Sequence, residues 1–249
     1  MEGLKFLRST QIIILGICFV VATIVSTMIF SKGLLQLKKF SGEVISVTGS
    51  AEKQIESDYI VWRSSFAVKN PQLKTAYANI QEDLKKVKDY LLSKGIKENE
   101  IVISQISTAG VYKKNEKGND TNEIEAYVLS QGIEVRSNDV KRIDEVSRQS
   151  TELINQDIPF ISQAPEYFYT KLSELKIEML AKATDDAKQR AISMANSTGN
   201  KIGAIRSAKM GVFQITPITS TDVSWYGEND TSSFEKKVMA VVTASFAIE

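Results

Sequence analysis

The most constraining feature of the sequence is an uncharged stretch near the N-terminus that runs from Ser9 to Ser31. Its apolar centre reads IIILGICFVVATIVSTMIF and occupies residues 12–30. At about 1.5 Å per residue, a helix of about 19 to 23 residues is roughly 29 to 35 Å long, which matches a hydrocarbon core of about 30 Å. We therefore predict a transmembrane anchor at residues 12–31, preceded by a short tail (1–11) and followed by a juxtamembrane segment (32–40).

Two alternatives to an uncleaved anchor remain, a cleaved signal peptide and a buried helix of a soluble protein. A signal peptide has an apolar region of about 7 to 15 residues and a small-x-small cleavage site. This stretch is longer, and its end, STMIFSKG, has no Ala-x-Ala pattern. Ile17 is also bulky where a lipoprotein-type cleavage box ahead of Cys18 needs a small residue. The pattern favours the anchor.

Flanking charge does not orient this anchor, because basic residues lie on both sides of it: Lys5, Arg8, Lys32, Lys38 and Lys39. The positive-inside rule needs an asymmetry that is missing here. A very short tail before the span is typical of a signal anchor that sends the following chain outward. The tail is then predicted to be cytoplasmic.

Composition excludes the common catalytic and metal chemistries. The chain of 249 residues has no histidine, and its one cysteine is Cys18, inside the apolar stretch. Ser-His-Asp and Cys-His arrangements, histidine-based metal sites, thiolate zinc sites and internal disulfides therefore cannot form. We predict no catalytic, cofactor-binding or metal-binding residues.

The charge of the chain beyond the anchor is balanced. Without Lys5, Arg8 and Glu2, 29 basic and 29 acidic residues remain. The densest cationic cluster, LKKVKD at 84–89, is interrupted by acids and is typical of a solvated helix face. Nucleic acid is therefore not a predicted partner.

Apolar periodicity predicts an α+β domain over residues 41–249. Strands alternate with helices in the order ββα-ββα-βα-ββ, which favours antiparallel or mixed sheets with helices packed on one side. Before the first helix we expect a hairpin, with a bend at Thr48–Lys53 and a second strand from Tyr59 to Val68 whose core face holds Ile60, Trp62, Ser64, Phe66 and Val68.

Three helices are predicted in this domain. The first begins at Asn70-Pro71, carries the stripe Leu73, Tyr77, Ile80, Leu84, Val87 and Leu91, and ends at Gly95. The second covers residues 138–154. The third covers residues 171–198 and carries alanines at four-residue spacing that let it lie close against a sheet: Ala183, Ala187, Ala191 and Ala195.

The sequence offers few chemical candidates. Gly49 begins no phosphate-binding loop, because the segment after it lacks a second glycine, a Lys-Ser/Thr pair and a following helix. Neighbours on a helix such as Asp185 and Asp186 point about 100° apart, so they form no carboxylate pair. Glu123 and Glu125 share a strand face beside the polar loop 113–122, where solvated charges are expected.

Aromatic residues supply the candidate interaction sites. PEYFYTKL holds Tyr167, Phe168 and Tyr169, for which core or subunit-interface packing and a ligand-stacking platform are the alternatives. Trp225 and Tyr226 lie in the polar stretch 219–233. Because we expect a loop there, an exposed Trp-Tyr pair would mark a contact with a partner.

Three segments resemble the SIMPL-domain family of bacterial cell-envelope proteins: ISVTGSAEKQIESDYIVW, LLSKGIKENEIVIS and EMLAKATDDAKQRAISMANSTGNKIGAIRSAKMG. The third is the most specific, and the resemblance covers nearly all of residues 41–249. Ala51, Ser57 and Glu100 depart from the family pattern. The segment 167–181 is similar to a membrane-anchored branch.

The resemblance implies a non-enzymatic domain on the periplasmic or extracellular side of the cytoplasmic membrane. Some family members are similar to one another in assembling into ring- or channel-like oligomers, and some are linked to envelope or oxidative-stress defence. We therefore expect a single-pass protein that contacts the lipid bilayer through residues 12–31 and acts by homo-oligomerisation or by binding an envelope protein. The alternatives are a ligand- or peptide-binding envelope module and, less favoured, a carboxylate-based hydrolase, which needs two acids about 5–10 Å apart.

Overall fold

The computed structural model describes residues 16–34 and 43–249. It contains four α-helices and eleven strands in these ranges. The helices are α1 (Gly16–Leu34), α2 (Leu73–Ser93), α3 (Val140–Gln149) and α4 (Leu172–Ser197). The strands are β1 (Val44–Glu56), β2 (Tyr59–Asn70), β3 (Ile101–Ile103), β4 (Ser107–Lys114), β5 (Asp120–Ser137), β6 (Phe160–Ser162), β7 (Glu166–Phe168), β8 (Ile202–Met210), β9 (Gln214–Pro217), β10 (Glu228–Asn229) and β11 (Glu235–Ile248). The predicted α+β class is confirmed.

Helix α1 is the N-terminal helix that sequence hydropathy predicts. It has 19 residues and a mean hydropathy of 1.9, and none of it is buried in the protein. It is long and apolar enough to cross a membrane. The start of the predicted anchor (12–15), the tail, and most of the juxtamembrane segment lie outside the described residues.

The chain divides into two compact units. The larger unit, residues 50–183 and 210–241, contains a six-stranded antiparallel sheet with the order β3-β5-β2-β6, in which β4 also pairs with β5 and β7 with β2. Helices α2 and α3 bury their apolar faces with this sheet around Trp62 and Phe66. The predicted core face of β2 is therefore confirmed.

The smaller unit holds residues 184–209 and 242–249 together with the described residues up to Gly49. Its strands β1, β11 and β8 belong to a sheet in which β11 pairs with both others. Side-chain contacts of 3.1 Å between Thr48 and Thr243 and 3.3 Å between Ser46 and Ser245 fix the antiparallel register of β1 with β11. The second half of α4 packs on this sheet with Val47, Ala187, Ala191, Ala244 and Phe246.

The predicted N-terminal hairpin is wrong. Strand β1 runs without interruption through the expected bend at Thr48–Lys53, and the chain turns only at Ser57 and Asp58. Strand β1 pairs with β11, whereas β2 pairs with β5. At the turn between β1 and β2, the backbone N–H of Ser57 donates to the Phe234 carbonyl, and that of Asp58 donates to the Phe168 carbonyl. Gly49 is thus a residue within a strand, in agreement with the rejection of a phosphate loop.

Helix α2 starts later than predicted. Asn70 is still the last residue of β2, paired with Tyr127, because the residue before a proline is held in extended conformation. Its side chain accepts a hydrogen bond from the backbone of Gln72, which is the N-cap. The predicted stripe also starts too early, since Leu73 and Tyr77 are 45% and 54% exposed and burial begins at Ala76.

Two helix ends follow the sequence prediction closely. Gly95 has a φ of +82°, and the N–H of Ile96 donates to Leu91 at 3.1 Å, which is the Schellman arrangement with a buried apolar residue after the glycine. Helix α4 ends at Ser197, just before Gly199. The second helix is shorter than predicted, because residues 150–156 form a 3-10 helix after α3. The predicted loop 113–122 also shortens to a tight turn at 115–119 between β4 and β5.

The alanine row on α4 generates a test. Ala191 is fully buried against the sheet of the smaller unit, so Ala191→Leu should lower the free energy of unfolding by about 1–3 kcal/mol through overpacking. Met194→Leu, on an exposed position of the same helix, is the matched control and should leave stability unchanged. Urea unfolding followed by circular dichroism measures both, and equal stability of the two variants would contradict the packing.

Candidate interaction surface

An exposed pair of aromatic side chains is the most unusual surface feature of the larger unit. We call residues 218–227, between β9 and β10, the aromatic loop. Trp225 and Tyr226 are 95% and 97% exposed, and Val223 is 69% exposed. The predicted exposure of the Trp-Tyr pair is confirmed, and its role as a contact site stays a prediction.

The base of the aromatic loop is held by a buried glutamine. The side-chain amide of Gln214 donates to the carbonyl of Ser224 at 2.6 Å and accepts from the Ser224 N–H at 3.3 Å. Gly227 closes the loop with a φ of +85°, and a Cβ there would come within 2.8 Å of the Phe213 carbonyl. These contacts position the exposed side chains on a fixed base.

Tyr167 belongs to the core of the larger unit. It is 8% exposed, its hydroxyl donates to Asp144 at 2.6 Å, and its ring meets Phe234 edge-on. Burial and, next, the hydrogen bond to Asp144 raise the pKa of Tyr167 to about 12. Of the two alternatives for this segment, core packing is therefore the one observed at Tyr167.

Phe168 and Tyr169 are half-buried beside the strand end that Asp58 organises. The Asp58 carboxylate accepts hydrogen bonds from the backbone N–H of Thr170 at 2.7 Å and from its hydroxyl at 2.8 Å. Asp58 is thus a turn residue, as the sequence indicates. The three aromatic residues of this segment do not form a common exposed platform.

Lys236 is a buried lysine that sequence reasoning missed. It is 2% exposed, and its Nζ donates to the carbonyl of Tyr167 at 2.6 Å and to the carbonyl of Asp230. Burial lowers its pKa, against the opposing effect of the Asp230 carboxylate. Lys236 therefore cross-links β11, β7 and the segment after β10 by charge-assisted hydrogen bonds.

The smaller unit carries a concave surface, which we call the α4–β8 groove. Its volume is about 670 Å³. One wall is formed by α4, and the other is formed by β8 and the residue that precedes it. The lining includes Lys188, Ile192, Asn196, Lys201, Ile202, Ile205 and Phe246. The groove combines an apolar floor with two exposed lysines. No sequence motif indicated this groove.

An ion network lies on the face of the six-stranded sheet that faces away from α2 and α3. Arg63 reaches Glu134 at 2.7 Å and Glu166 at 2.6 Å, and Arg136 also pairs with Glu134. The hydrogen bond that Arg63 donates to Glu166 raises the pKa of Arg63 most, followed by the one that it donates to Glu134. In this network two partly exposed arginines are paired with two glutamates, so the charges neutralise one another.

Of the other acids singled out in the sequence, three are paired with cations. Glu123 contacts Lys113 at 2.8 Å, Glu125 lies 3.7 Å from Lys69, and Asp186 contacts Arg190 at 2.8 Å. Within residues 16–34 and 43–249, no cluster of three histidine, cysteine or acidic residues has the geometry to hold a metal ion.

The fold defines an α+β domain preceded by a helix long enough to cross a membrane. Residues 45–246 match the SIMPL family, described as "Protein of unknown function (DUF541)". Since this match covers most of the chain, the protein belongs to the SIMPL family. None of the curated proteins compared with the chain matches it.

The environment of Tyr167 predicts a distinct response to alkali. A raised pKa means that the folded state holds the proton more tightly, so this contribution to stability is complete below about pH 10 and is lost as pH rises toward about 12. Tyr167→Phe should remove this loss and cost about 0.5–1.5 kcal/mol at neutral pH through the missing hydrogen bond. Unfolding free energies between pH 7 and about 12 measure both effects.

Tyr226→Phe is the matched control, because Tyr226 is almost fully exposed. It should leave both neutral stability and the alkaline decline as in the unmodified protein. An alkaline decline of the same size in the Tyr167→Phe variant would show that Tyr167 is not the titrating group.

Proposed function

We propose that this protein is a non-enzymatic, membrane-anchored cell-envelope protein whose domain at 41–249 works by self-assembly into a ring- or channel-like homo-oligomer. Helix α1 supports the anchoring, and the balanced charge and paired acids support a role without catalysis. Membership of the SIMPL family is consistent with the cell envelope as its place of action. A contribution to envelope or oxidative-stress defence belongs to the same proposal.

The exposure of β8 is the observation that carries the self-assembly proposal. Seven of its nine residues are exposed, including Ile205 and Met210, which are 50% and 53% exposed. Among the described residues, β8 pairs with β11 only. A long edge strand without proline and with most of its residues exposed is the kind of element that natural proteins otherwise shield, because it recruits another chain.

Light scattering on the full chain tests self-assembly. Purified in a mild non-ionic detergent and corrected for bound detergent, the protein should have a mass that is a multiple of 27.7 kDa. The mass should fall toward one copy on dilution. A single copy at every concentration tested, up to the solubility limit, would contradict the proposal.

The outward orientation has its own test. In a Cys18→Ser background, a cysteine introduced by Glu116→Cys, in the exposed turn between β4 and β5, should react with a membrane-impermeant maleimide on intact cells. Gly3→Cys, in the predicted cytoplasmic tail, is the control and should react only after permeabilisation. The reverse pattern would place the domain in the cytoplasm.

A ligand- or peptide-binding module is the second candidate function, and the α4–β8 groove favours it. A groove between a helix and an edge strand is one of the recurring ways in which proteins hold extended peptides. If this function is the right one, peptides added to the monomeric protein should slow the hydrogen exchange of β8 amides, and the protein should stay a single copy by light scattering.

A further inference from the structure

The α4–β8 groove has two exposed lysines around an apolar floor, and the Glu249 side chain lies beside its lining residue Gly203. Lys188 and Lys201 line it and are exposed, and neither forms an ion pair with any residue that the structure describes. Ile192, Ile202 and Phe246 supply the apolar surface. The occupant that fits such a groove is apolar or aromatic at its centre and acidic at its margins.

The aromatic loop has this chemistry. From Met210 to Glu235 the chain contains no lysine or arginine, while it contains four acids: Asp222, Glu228, Asp230 and Glu235. Asp222 is exposed beside the loop tip, three residues from Trp225. The loop therefore presents aromatic surface beside the exposed acid Asp222, while the ammonium of Lys237 in β11 donates to the Ser220 carbonyl at 3.1 Å.

The exposed aromatic rings supply the contact area. A buried tryptophan or tyrosine covers about 150–250 Å² each, so the pair offers roughly 300–500 Å². Tryptophan and tyrosine are enriched among the residues that dominate protein interfaces. A lysine ammonium is also attracted to an aromatic face, which suits rings placed beside Lys188 and Lys201.

Charge also selects how two copies meet. Two grooves facing each other would oppose cations, and two aromatic loops would oppose acids, so each surface favours the other rather than itself. A contact between two different surfaces is heterologous, and it generates rings where the rotation closes and filaments where it does not.

We propose that the aromatic loop of one copy docks into the α4–β8 groove of the next copy, with Trp225 in the groove and Asp222 near its lysines. This rests on the proposed self-assembly and names the two surfaces that carry it. The partner is a second copy of this chain, because both complementary surfaces occur on one chain.

A two-component cross-linking experiment in membranes tests this contact. In a Cys18→Ser background, one full chain carries Thr221→Cys in the loop and the other carries Asn196→Cys in the groove. Both positions are exposed. The two proteins are mixed in phosphatidylcholine vesicles and treated with a short bifunctional maleimide. The mixture should give a cross-linked pair, and neither protein alone should.

Placement of the substitutions makes the test directional. Trp225→Ala on the loop-cysteine chain should weaken the contact roughly 30-fold, the effect of losing an interface hot spot. The same substitution on the groove-cysteine chain should leave the cross-linked pair intact, because that loop is not part of the trapped contact. Lys188→Glu with Lys201→Glu should act in the opposite pattern, and Lys74→Glu with Lys85→Glu is the charge-matched control.

The outcomes separate this inference from the self-assembly proposal. If the full chain assembles by light scattering but Trp225→Ala on the loop-cysteine chain does not reduce cross-linking, the loop–groove contact is wrong and self-assembly stands. A cross-linked product from the loop-cysteine chain alone, equal to that of the mixture, also overturns the contact. If the chain is a single copy throughout, both proposals fail.

Discussion

The close packing of α4 on the strands of the smaller unit depends on a row of alanines. Ala187, Ala191 and Ala195 are buried on the helix, and Ala244 meets them from β11. Small side chains let a helix lie near a sheet, and close-packed interiors tolerate added volume poorly. Because this helix also forms one wall of the α4–β8 groove, the shape of the groove follows from the same row.

Some aromatic residues of this protein are buried and others are exposed, and the two groups differ in their hydrogen bonding. Tyr167 is buried with its hydroxyl donating a hydrogen bond to Asp144 and its backbone carbonyl accepting one from Lys236. Trp225 and Tyr226 find no such cover in the larger unit. The loop that carries them is nevertheless fixed at its base by Gln214. A held loop with exposed rings loses little conformational entropy on binding, which suits a contact surface.

Sequence periodicity predicted most of the secondary structure because local signals are strong where residues alternate or recur every three to four positions. The core face of β2, the glycine end of α2 and the alanine row of α4 are examples. The pairing of β1 with β11 was beyond such reasoning. The polar segment around Gly49 has the composition of a bend, and its pairing with β11, almost 200 residues away, holds it extended.

The surfaces were predictable to a lesser degree than the fold. The exposure of Trp225 follows from its polar neighbours, and the sequence indicates it. Lys236 lies between Glu235 and Lys237 at the start of a strand, where a lysine is expected to point to solvent, and its burial depends on the carbonyls of Tyr167 and Asp230. The groove likewise combines α4 with β8 and Phe246, so no contiguous stretch of sequence contains it.

Copies of this chain are proposed to meet through the α4–β8 groove and the aromatic loop. Hydrogen–deuterium exchange of the full chain in membranes, followed by mass spectrometry as the protein-to-lipid ratio rises, tests it most directly. If this contact forms, hydrogen exchange should slow at residues 184–205 and 218–228 on assembly and should stay unchanged in the β4–β5 hairpin. Unchanged exchange in both of these segments while the protein assembles would contradict it.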